Sequence, residues 1–244
     1  MKPTPLKPRW KLARLKDRAD DWLKKIRKNK SPVSEQSLWW DFLWCWSLKI
    51  NTWLEEFVKG RYVFSPMISY TIHGEKIVMW GHRDRLMLSL LLKIIKPVFA
   101  HIIPRVCFHM KGPAGVKAAI GQVVKAMEVG RFRYIIRADI SGYYASIDHA
   151  ILEKQVFEKI NDPRLRDYIN QIITVGIEEN GAIELPEKGI PIRSSLSPFF
   201  GAIYLSPLDQ LLSGRKGICY VRFMDDSVPR TQNNRENGNF VVLH

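Results

Sequence analysis

Two strand-like runs that end at aspartates constrain the fold of this chain more than its other features do. FRYIIRADI (132–140) reaches Asp139, and ICYVRFMDD (218–226) reaches Asp225 and Asp226. A continuous apolar, β-branched run of this length is typical of a strand buried inside a sheet. Helical patterns occupy most of the chain before and between the two runs. We therefore predict an α+β fold in which a small antiparallel sheet is backed by helices.

Apolar spacing predicts helices over much of the remaining sequence. The longest helix would begin at Ser31-Pro32 and end at Gly60, and it contains five tryptophans. Tryptophans at this spacing usually belong to a core, although some could stack on nucleic-acid bases. Residues 61–84 predict short strands around a His73-Gly74 turn. Further helices are predicted at 85–96, 113–129, 147–160 and 164–177, and after a loop within 189–212.

The charge of the chain predicts a polyanionic partner. Its 38 Lys and Arg residues against 24 Asp and Glu give a net charge of +14, which favours nucleic acid over an anionic membrane surface. For the net charge alone, a solvated basic surface is an equal alternative. Residues 1–30 hold 12 of the basic residues and three aspartates, so we treat them as a basic N-terminal arm. We expect this arm to become helical and to lie along a phosphate backbone, or else to act as a solubilising terminus.

The cysteines and the apolar stretches predict a cytoplasmic protein without a membrane span. Cys45, Cys107 and Cys219 are widely spaced and form no CxxC pair, so neither a zinc site nor a disulfide framework is indicated. The chain opens on a basic stretch without the apolar region of a signal peptide. Its best membrane candidate (86–104) is interrupted by lysines and a proline, and is too short and too charged to cross a bilayer.

Asp139, Asp225 and Asp226 would converge at one sheet edge if the two strand runs are neighbours. Carboxylates that close together repel one another, so the arrangement needs cations. Oxygen ligands without His or Cys favour magnesium, and two such ions support phosphoryl or nucleotidyl transfer. Taken singly, each of these aspartates is more often a solvated residue at a strand end or turn.

Three segments resemble, in the right order, polymerase motifs of bacterial reverse transcriptases, in particular those of the group II intron type. They are RADISGYYASIDH (137–149), GIPIRSSLSP (189–198) with YLSPLD (204–209), and YVRFMDD (220–226). GEKIVMWGHRDR (74–85) and CFHMKGPAGVKAAI (107–120) resemble the fingers segments of that family. The resemblance implies a right-hand polymerase, with a helix-rich fingers region over 31–130 and a palm over 131–228.

The resemblance implies an RNA-directed DNA polymerase that adds deoxynucleotides to a primer 3′-hydroxyl with two metal ions. Asp139 and Asp225 would bind two Mg²⁺ ions, or Mn²⁺, with Asp226 in support. The backbone carbonyl of Ile140 would help to hold one ion. Tyr144 matches the family's steric gate, which excludes the 2′-hydroxyl of ribonucleotides; core packing is the alternative role for its ring.

The implied partners are an RNA template, a DNA primer and deoxynucleoside triphosphates. Lys76, Arg83 and Arg85 are candidates to neutralise the incoming triphosphate, although a solvated basic loop is an equal alternative for them. The family commonly has Pro-Gln-Gly where this chain has Pro191-Ile192-Arg193. This change alters the expected nucleotide pocket, and Arg193 could reach a phosphate.

The sequence after Asp226 predicts the end of the resemblance. Relatives continue with an apolar second hairpin strand, whereas Pro229 would cut that strand short here. Residues 229–244 are expected to be a disordered, aberrant tail, in which Phe240–Leu243 could form only a stray edge strand. On this interpretation the chain is truncated, lacks a thumb, and supports little or no processive DNA synthesis.

Other functions are weighed beside the polymerase. The main alternative is a non-catalytic remnant that binds RNA without extending a primer. A phosphatase of the haloacid dehalogenase type would need Asp-x-Asp, but Ser141 stands at the third position. A diguanylate cyclase shares a palm-like core, but its Gly-Gly-Asp/Glu-Glu-Phe signature does not occur in this sequence.

Overall fold

Eight α-helices and seven β-strands make up the part of the chain that the computed structural model describes. The described residues are 11–28, 36–72, 75–110, 115–128, 134–138, 140–215, 218–223 and 239–243. The helices are α1 (Leu12–Lys28), α2 (Gln36–Lys59), α3 (His82–Ile95), α4 (Gly115–Glu128), α5 (His149–Phe157), α6 (Pro163–Ile173), α7 (Ser197–Tyr204) and α8 (Ser206–Ser213). The strands are β1 (Met67–Ile72), β2 (Glu75–Met79), β3 (Tyr134–Ala138), β4 (Ile177–Glu179), β5 (Ala182–Glu184), β6 (Ile218–Val221) and β7 (Asn239–Leu243).

The strands form two sheets, and the α+β fold class predicted from the sequence is confirmed. The first sheet has the order β2-β1-β4-β5. Its two hairpins are antiparallel, but β1 and β4 pair in parallel, so this sheet is mixed and not purely antiparallel. The second sheet has the order β3-β7-β6 and is antiparallel throughout.

Strand β7 lies in the middle of the second sheet, and this corrects the expectation for the end of the chain. Phe240 pairs with Arg137 of β3 and with Val221 of β6. The sequence predicted a disordered tail here, with at most a stray edge strand, and a second strand cut short directly after Asp226. The apolar, β-branched run 240–243 instead supplies the second strand. Its central position is favourable because its backbone groups can form hydrogen bonds with a neighbouring strand on both sides. The other tail residues, 224–238 and 244, lie outside the described residues.

Strands β3 and β6, which carry the aspartate motifs, are therefore one strand apart. From the sequence alone, these two strands could have been direct neighbours. With β7 between them, their axes are separated by two strand spacings, about 9.5 Å. The motifs still share one small sheet.

The helices enclose a continuous apolar core. In α1, Leu15, Ala19 and Leu23 are buried, so this part of the N-terminal arm belongs to the core as well as carrying charge. The ring of Trp22 on α1 meets the ring of Phe42 on α2 edge to face at 6.1 Å. Helix α3 lies at the centre of the core, because most of its apolar residues are buried.

Local signals in the sequence explain several element ends. Gly60 ends α2 with a φ of +75°, as the sequence predicted. The Arg164 guanidinium donates to the carbonyl of Val58, with 2.6 Å between Nη1 and O, and so satisfies a backbone acceptor in the last turn of α2. The hairpin β4–β5 was missed, although its Asn180-Gly181 turn is a strong hairpin signal and both residues have positive φ.

Among the described residues, no helix is both long enough and apolar enough to cross a membrane.

Candidate active site

Helix α7 holds two of the predicted polymerase motifs together through consecutive backbone carbonyls. Tyr143, four residues after Asp139, donates its hydroxyl to the carbonyl of Gly201 at 2.7 Å. Arg222, three residues before Asp225, places Nη2 at 3.5 Å from the carbonyl of Ala202. The segments that carry the aspartates therefore meet on one short helix.

A fully buried ion pair fixes the segment that precedes Asp225. Arg222 and Asp209 are both 0% exposed. The guanidinium binds the carboxylate in a fork, with Nε at 2.7 Å from Oδ1 and Nη2 at 2.5 Å from Oδ2. Tyr220 adds a third bond by donating its hydroxyl to Oδ1 at 2.9 Å. Asp209 belongs to α8, so this network ties β6 to that helix.

The network keeps the Arg222 charge inside the protein. Burial alone would lower the pKa of the Arg222 guanidinium, but hydrogen bonds and charge from Asp209 outweigh it, so that pKa is raised. Burial, with the Asp209 charge second, also raises the pKa of Tyr220. Nη1 of Arg222 has no hydrogen-bond partner among the described residues. Among the described residues, Asp209 is the acidic residue that pairs with Arg222.

The first and second motifs are joined by backbone hydrogen bonds. The amide of Ile190 donates to the carbonyl of Tyr144 at 2.8 Å, and that of Gly189 donates to Ile147 at 2.7 Å. Gly189 has a φ of +88°, and a Cβ on it would lie 2.8 Å from the carbonyl oxygen of Ala145. Only glycine permits this approach, so the second motif begins against the turn that contains Tyr144.

Tyr144, the predicted steric gate, lies in a 3₁₀ turn over Tyr143–Ser146. Its ring is half-buried, with its centroid 5.3 Å from that of Tyr143. Gly142, with a φ of +59°, begins the turn. Ile140 is 40% exposed. The gate role of Tyr144 and the metal role of the Ile140 carbonyl stay predictions.

Arg193 adopts the backbone conformation that the family's glycine would favour. Its φ of +62° lies in the left-handed region, which costs a residue with a side chain roughly 1–2 kcal/mol. Ser197 donates its hydroxyl to the carbonyl of Pro191 and closes the turn. The departure from Pro-Gln-Gly thus changes the side chains while this loop keeps a glycine-like bend. Contact between Arg193 and a phosphate stays a prediction.

The three predicted triphosphate ligands lie on the first hairpin and on α3. Lys76 on β2 pairs with Glu179 on β4, with 2.5 Å between Nζ and Oε2. This pair bridges the two hairpins of the first sheet, and a phosphate would compete with the Glu179 carboxylate for Lys76. Arg83 lies over the Tyr62 ring at 5.0 Å, and Arg85 belongs to the first turn of α3.

The predicted metal ligands Asp139, Asp225 and Asp226 lie outside the described residues. Within the described ranges, no group of three or more His, Cys, Asp or Glu side chains could hold a metal ion. The three aspartates supply only oxygen donors, which suits a hard divalent cation. The candidate metal site therefore rests on the three motif aspartates.

Asp209, Tyr220 and Arg222 lie within the segments that resemble polymerase motifs, but no role for them was predicted from the sequence. The available signal was an arginine within an apolar strand and an aspartate at the start of an apolar helix. Charged residues are rarely buried unless they are paired, so each could have predicted the other. Because they are 13 residues apart and lie on different elements, no helical or strand periodicity predicts that they pair.

Comparison with known proteins identifies the family. The family model for reverse transcriptase (RNA-dependent DNA polymerase) matches residues 77–241, and so runs past Asp226, where the sequence had predicted that the resemblance ends. The protein YkfC of Escherichia coli is 26% identical over 54% of this chain and 36% of its own length. The group II intron-encoded protein LtrA of Lactococcus lactis is 25% identical over 53% of this chain and 21% of its own.

Comparison with solved structures shows a similar fold. A solved partial Cas6-RT-Cas1–Cas2 complex contains a chain that superposes with a TM-score of 0.51 and 17% identity, covering 93% of this chain and 36% of that one. The present chain spans about a third of YkfC and a fifth of LtrA. The family model matches well over half of the chain, which therefore belongs to the reverse transcriptase family.

Proposed function

We propose that this chain forms the fingers and palm of an RNA-directed DNA polymerase related to group II intron proteins. The observation that carries the proposal is the meeting of the first and third motifs on α7, through Tyr143 and Arg222. Such an arrangement would restrict the positions of Asp139, four residues before Tyr143, and of Asp225, three residues after Arg222. Family membership supports the same assignment.

Asp139, Asp225 and Asp226 would hold two divalent ions, most simply Mg²⁺, with help from the Ile140 carbonyl. Two bound ions would favour deprotonation of the primer 3′-hydroxyl and stabilise the leaving pyrophosphate. The protein's own contribution is positioning: the Arg222–Asp209 pair holds the strand before Asp225, and the Gly201 carbonyl holds the turn after Asp139. Small displacements of such groups lower the rate heavily.

The nucleotide would be selected and held by residues of both regions. The Tyr144 ring would exclude a 2′-hydroxyl, supported by the backbone bond to Ile190. Lys76, Arg83, Arg85 and Arg193 would neutralise the triphosphate. A net charge of +14 suits an RNA template and a DNA primer, and we propose a cytoplasmic location.

A non-catalytic RNA-binding role is the second candidate, and one observation favours it. Strand β6 ends at Val221 and β7 begins at Asn239, so a long connection carries Asp225 and Asp226. Antiparallel neighbours usually need a connection of two to five residues. The separation between β6 and β7 is therefore longer than a tight hairpin turn, the connection that would best suit a metal-binding pair of aspartates.

Primer extension separates the two candidates. The purified chain is incubated with a primed RNA template, deoxynucleotides and Mg²⁺, beside Asp225→Asn. Addition of one or a few deoxynucleotides that Asp225→Asn abolishes supports the polymerase. RNA binding without any addition assigns the chain to the non-catalytic role. Equal use of ribonucleotides by wild type would refute the Tyr144 gate.

A further inference from the structure

The tryptophans of α2 divide into an inward group and an outward group. Trp46 and Trp53 are 9% and 8% exposed and belong to the core, as predicted for the stripe as a whole. Trp40 and Trp44 are 66% and 79% exposed and lie one helical turn apart. Leu48 continues their line a turn further on and is 72% exposed. The core has no need of these outward side chains.

The outward tryptophans border a groove that also has a cationic wall. Arg27, Trp40, Asp41, Leu43 and Trp44 line an open cavity of about 450 Å³. Arg27 belongs to the last turn of α1, which is seated on α2 by the contact between Trp22 and Phe42. Lys24, Lys25 and Lys28 are exposed on the same part of α1.

The chemistry of the groove selects a ligand with flat apolar faces and negative charges at regular spacing. The exposed basic residues at the end of α1 suit phosphates, and the two indole rings suit bases. Asp41 would be unfavourable beside a phosphate, but its carboxylate can accept hydrogen bonds from a base amino group or a 2′-hydroxyl. The basic residues would also attract an anionic bilayer, but the Asp41 carboxylate in the apolar wall would not contribute to binding a bilayer.

We propose that Trp40, Trp44 and Arg27 form a stacking platform for single-stranded RNA, separate from the motif residues. This proposal rests on the proposed function, which supplies RNA as the nucleic acid. Trp40 and Trp44, about 6 Å apart along the helix axis, each stack on a base, while Arg27 and the neighbouring lysines neutralise the backbone. The platform would hold an unpaired part of the template away from the site of nucleotide addition.

The test measures binding of a labelled oligouridylate to the full chain by fluorescence anisotropy. Trp40→Ala and Trp44→Ala should each weaken binding by about 5- to 150-fold. Neither should change the slope of log affinity against log salt, because no charge is removed. Arg27→Gln should reduce the magnitude of that slope by about 0.7, the value for one phosphate contact on a single strand. Because these side chains are exposed, the variants should fold, and circular dichroism checks this.

Two further variants separate stacking from general apolar contact. Trp44→Leu keeps apolar area but loses the large aromatic face, so it should bind RNA nearly as weakly as Trp44→Ala, whereas Trp44→Phe should recover part of the affinity. Ile151→Ala on α5 removes a side chain that is 50% exposed, and it should bind RNA like wild type.

Distinct results would overturn the platform and the proposed function. Wild-type RNA affinity in a Trp40→Ala/Trp44→Ala double variant would refute the platform alone. Self-association or binding to anionic vesicles that Trp44→Leu retains and Trp44→Ala loses, without an effect on RNA affinity, would assign this face to a second copy or a membrane. A wild-type chain that binds no RNA at low salt would refute the proposed function together with the platform.

Discussion

Removing one partner of the Arg222–Asp209 pair should destabilise the protein severely. Asp209→Asn removes the charge of the carboxylate and leaves the Arg222 guanidinium in a site that is 0% exposed. Loss of one member of a buried pair costs about 3–5 kcal/mol, because the remaining charge is desolvated without compensation. Total stabilities are about 5–15 kcal/mol, so this loss would be a large fraction of the whole.

The assay is urea denaturation followed by circular dichroism, with thermal melting beside it. For a chain of this size about 3–5 kcal/mol corresponds to a fall in Tm of roughly 6–20 °C. Glu55→Gln is the matched control, since Glu55 pairs with Lys59 at 2.9 Å on an exposed helix face and should cost below about 0.5 kcal/mol.

A double variant tests whether the cost arises from the stranded charge. Asp209→Leu with Arg222→Met replaces the whole pair by apolar side chains, which is often neutral or stabilising. It should therefore be more stable than Asp209→Asn, although Tyr220 loses its acceptor. A cost below about 1 kcal/mol for Asp209→Asn would refute the argument, as would a double variant no more stable than the single one.

Three other changes test separate parts of the structure. Burial lowers the pKa of His109 to about 4, so the unfolded chain is protonated at this histidine at a higher pH than the folded chain is. The free energy of unfolding should therefore fall by up to about 3 kcal/mol as pH drops from about 6.5 to 4. In urea titrations at pH 7 and pH 5, His109→Gln should lose this part of the pH dependence, and an unchanged dependence would contradict the argument. Arg193→Gly should raise Tm or leave it unchanged, because glycine adopts a φ of +62° without strain. A clear fall in Tm would show that the Arg193 side chain makes contacts that outweigh the strain. Deleting residues 227–238 should stabilise the chain by about 1 kcal/mol in the same titrations, through a shorter connection between β6 and β7, whereas destabilisation would show that the deleted residues themselves contribute to the fold.

The elements that could be predicted from the sequence are those governed by local patterns. Helix α2 was placed by apolar spacing and by Gly60, whose positive φ the structure confirms. The hairpin β1–β2 was likewise located from its short apolar runs. The hairpin β4–β5 was missed because Ile177 and Ala182–Glu184 carry little apolar pattern, and the Asn180-Gly181 turn was passed over.

Features that depend on distant contacts could not be predicted in the same way. The burial of Arg222 is favourable only because α8 brings Asp209 to it, and no local pattern contains that information. The two directions of the α2 tryptophans are set by α1 and α3, which cover one side of the helix and leave Trp40 and Trp44 exposed. The metal aspartates themselves lie outside the described residues, so their convergence stays a prediction.

The position of β7 changes how the end of this sequence is interpreted. Asn, Gly and Pro between Asp226 and Phe240 suggested that the polymerase pattern had been lost. Strand pairing depends on the composition of the paired residues themselves, and the run Phe240–Leu243 has the apolar, β-branched composition that a central strand needs. With β7 hydrogen-bonded to both β3 and β6, the third motif is a strand pair with a long connection. The interruption therefore lies between the two strands of the motif, so the apolar second strand is present and is displaced along the sequence by the residues between Asp226 and Asn239.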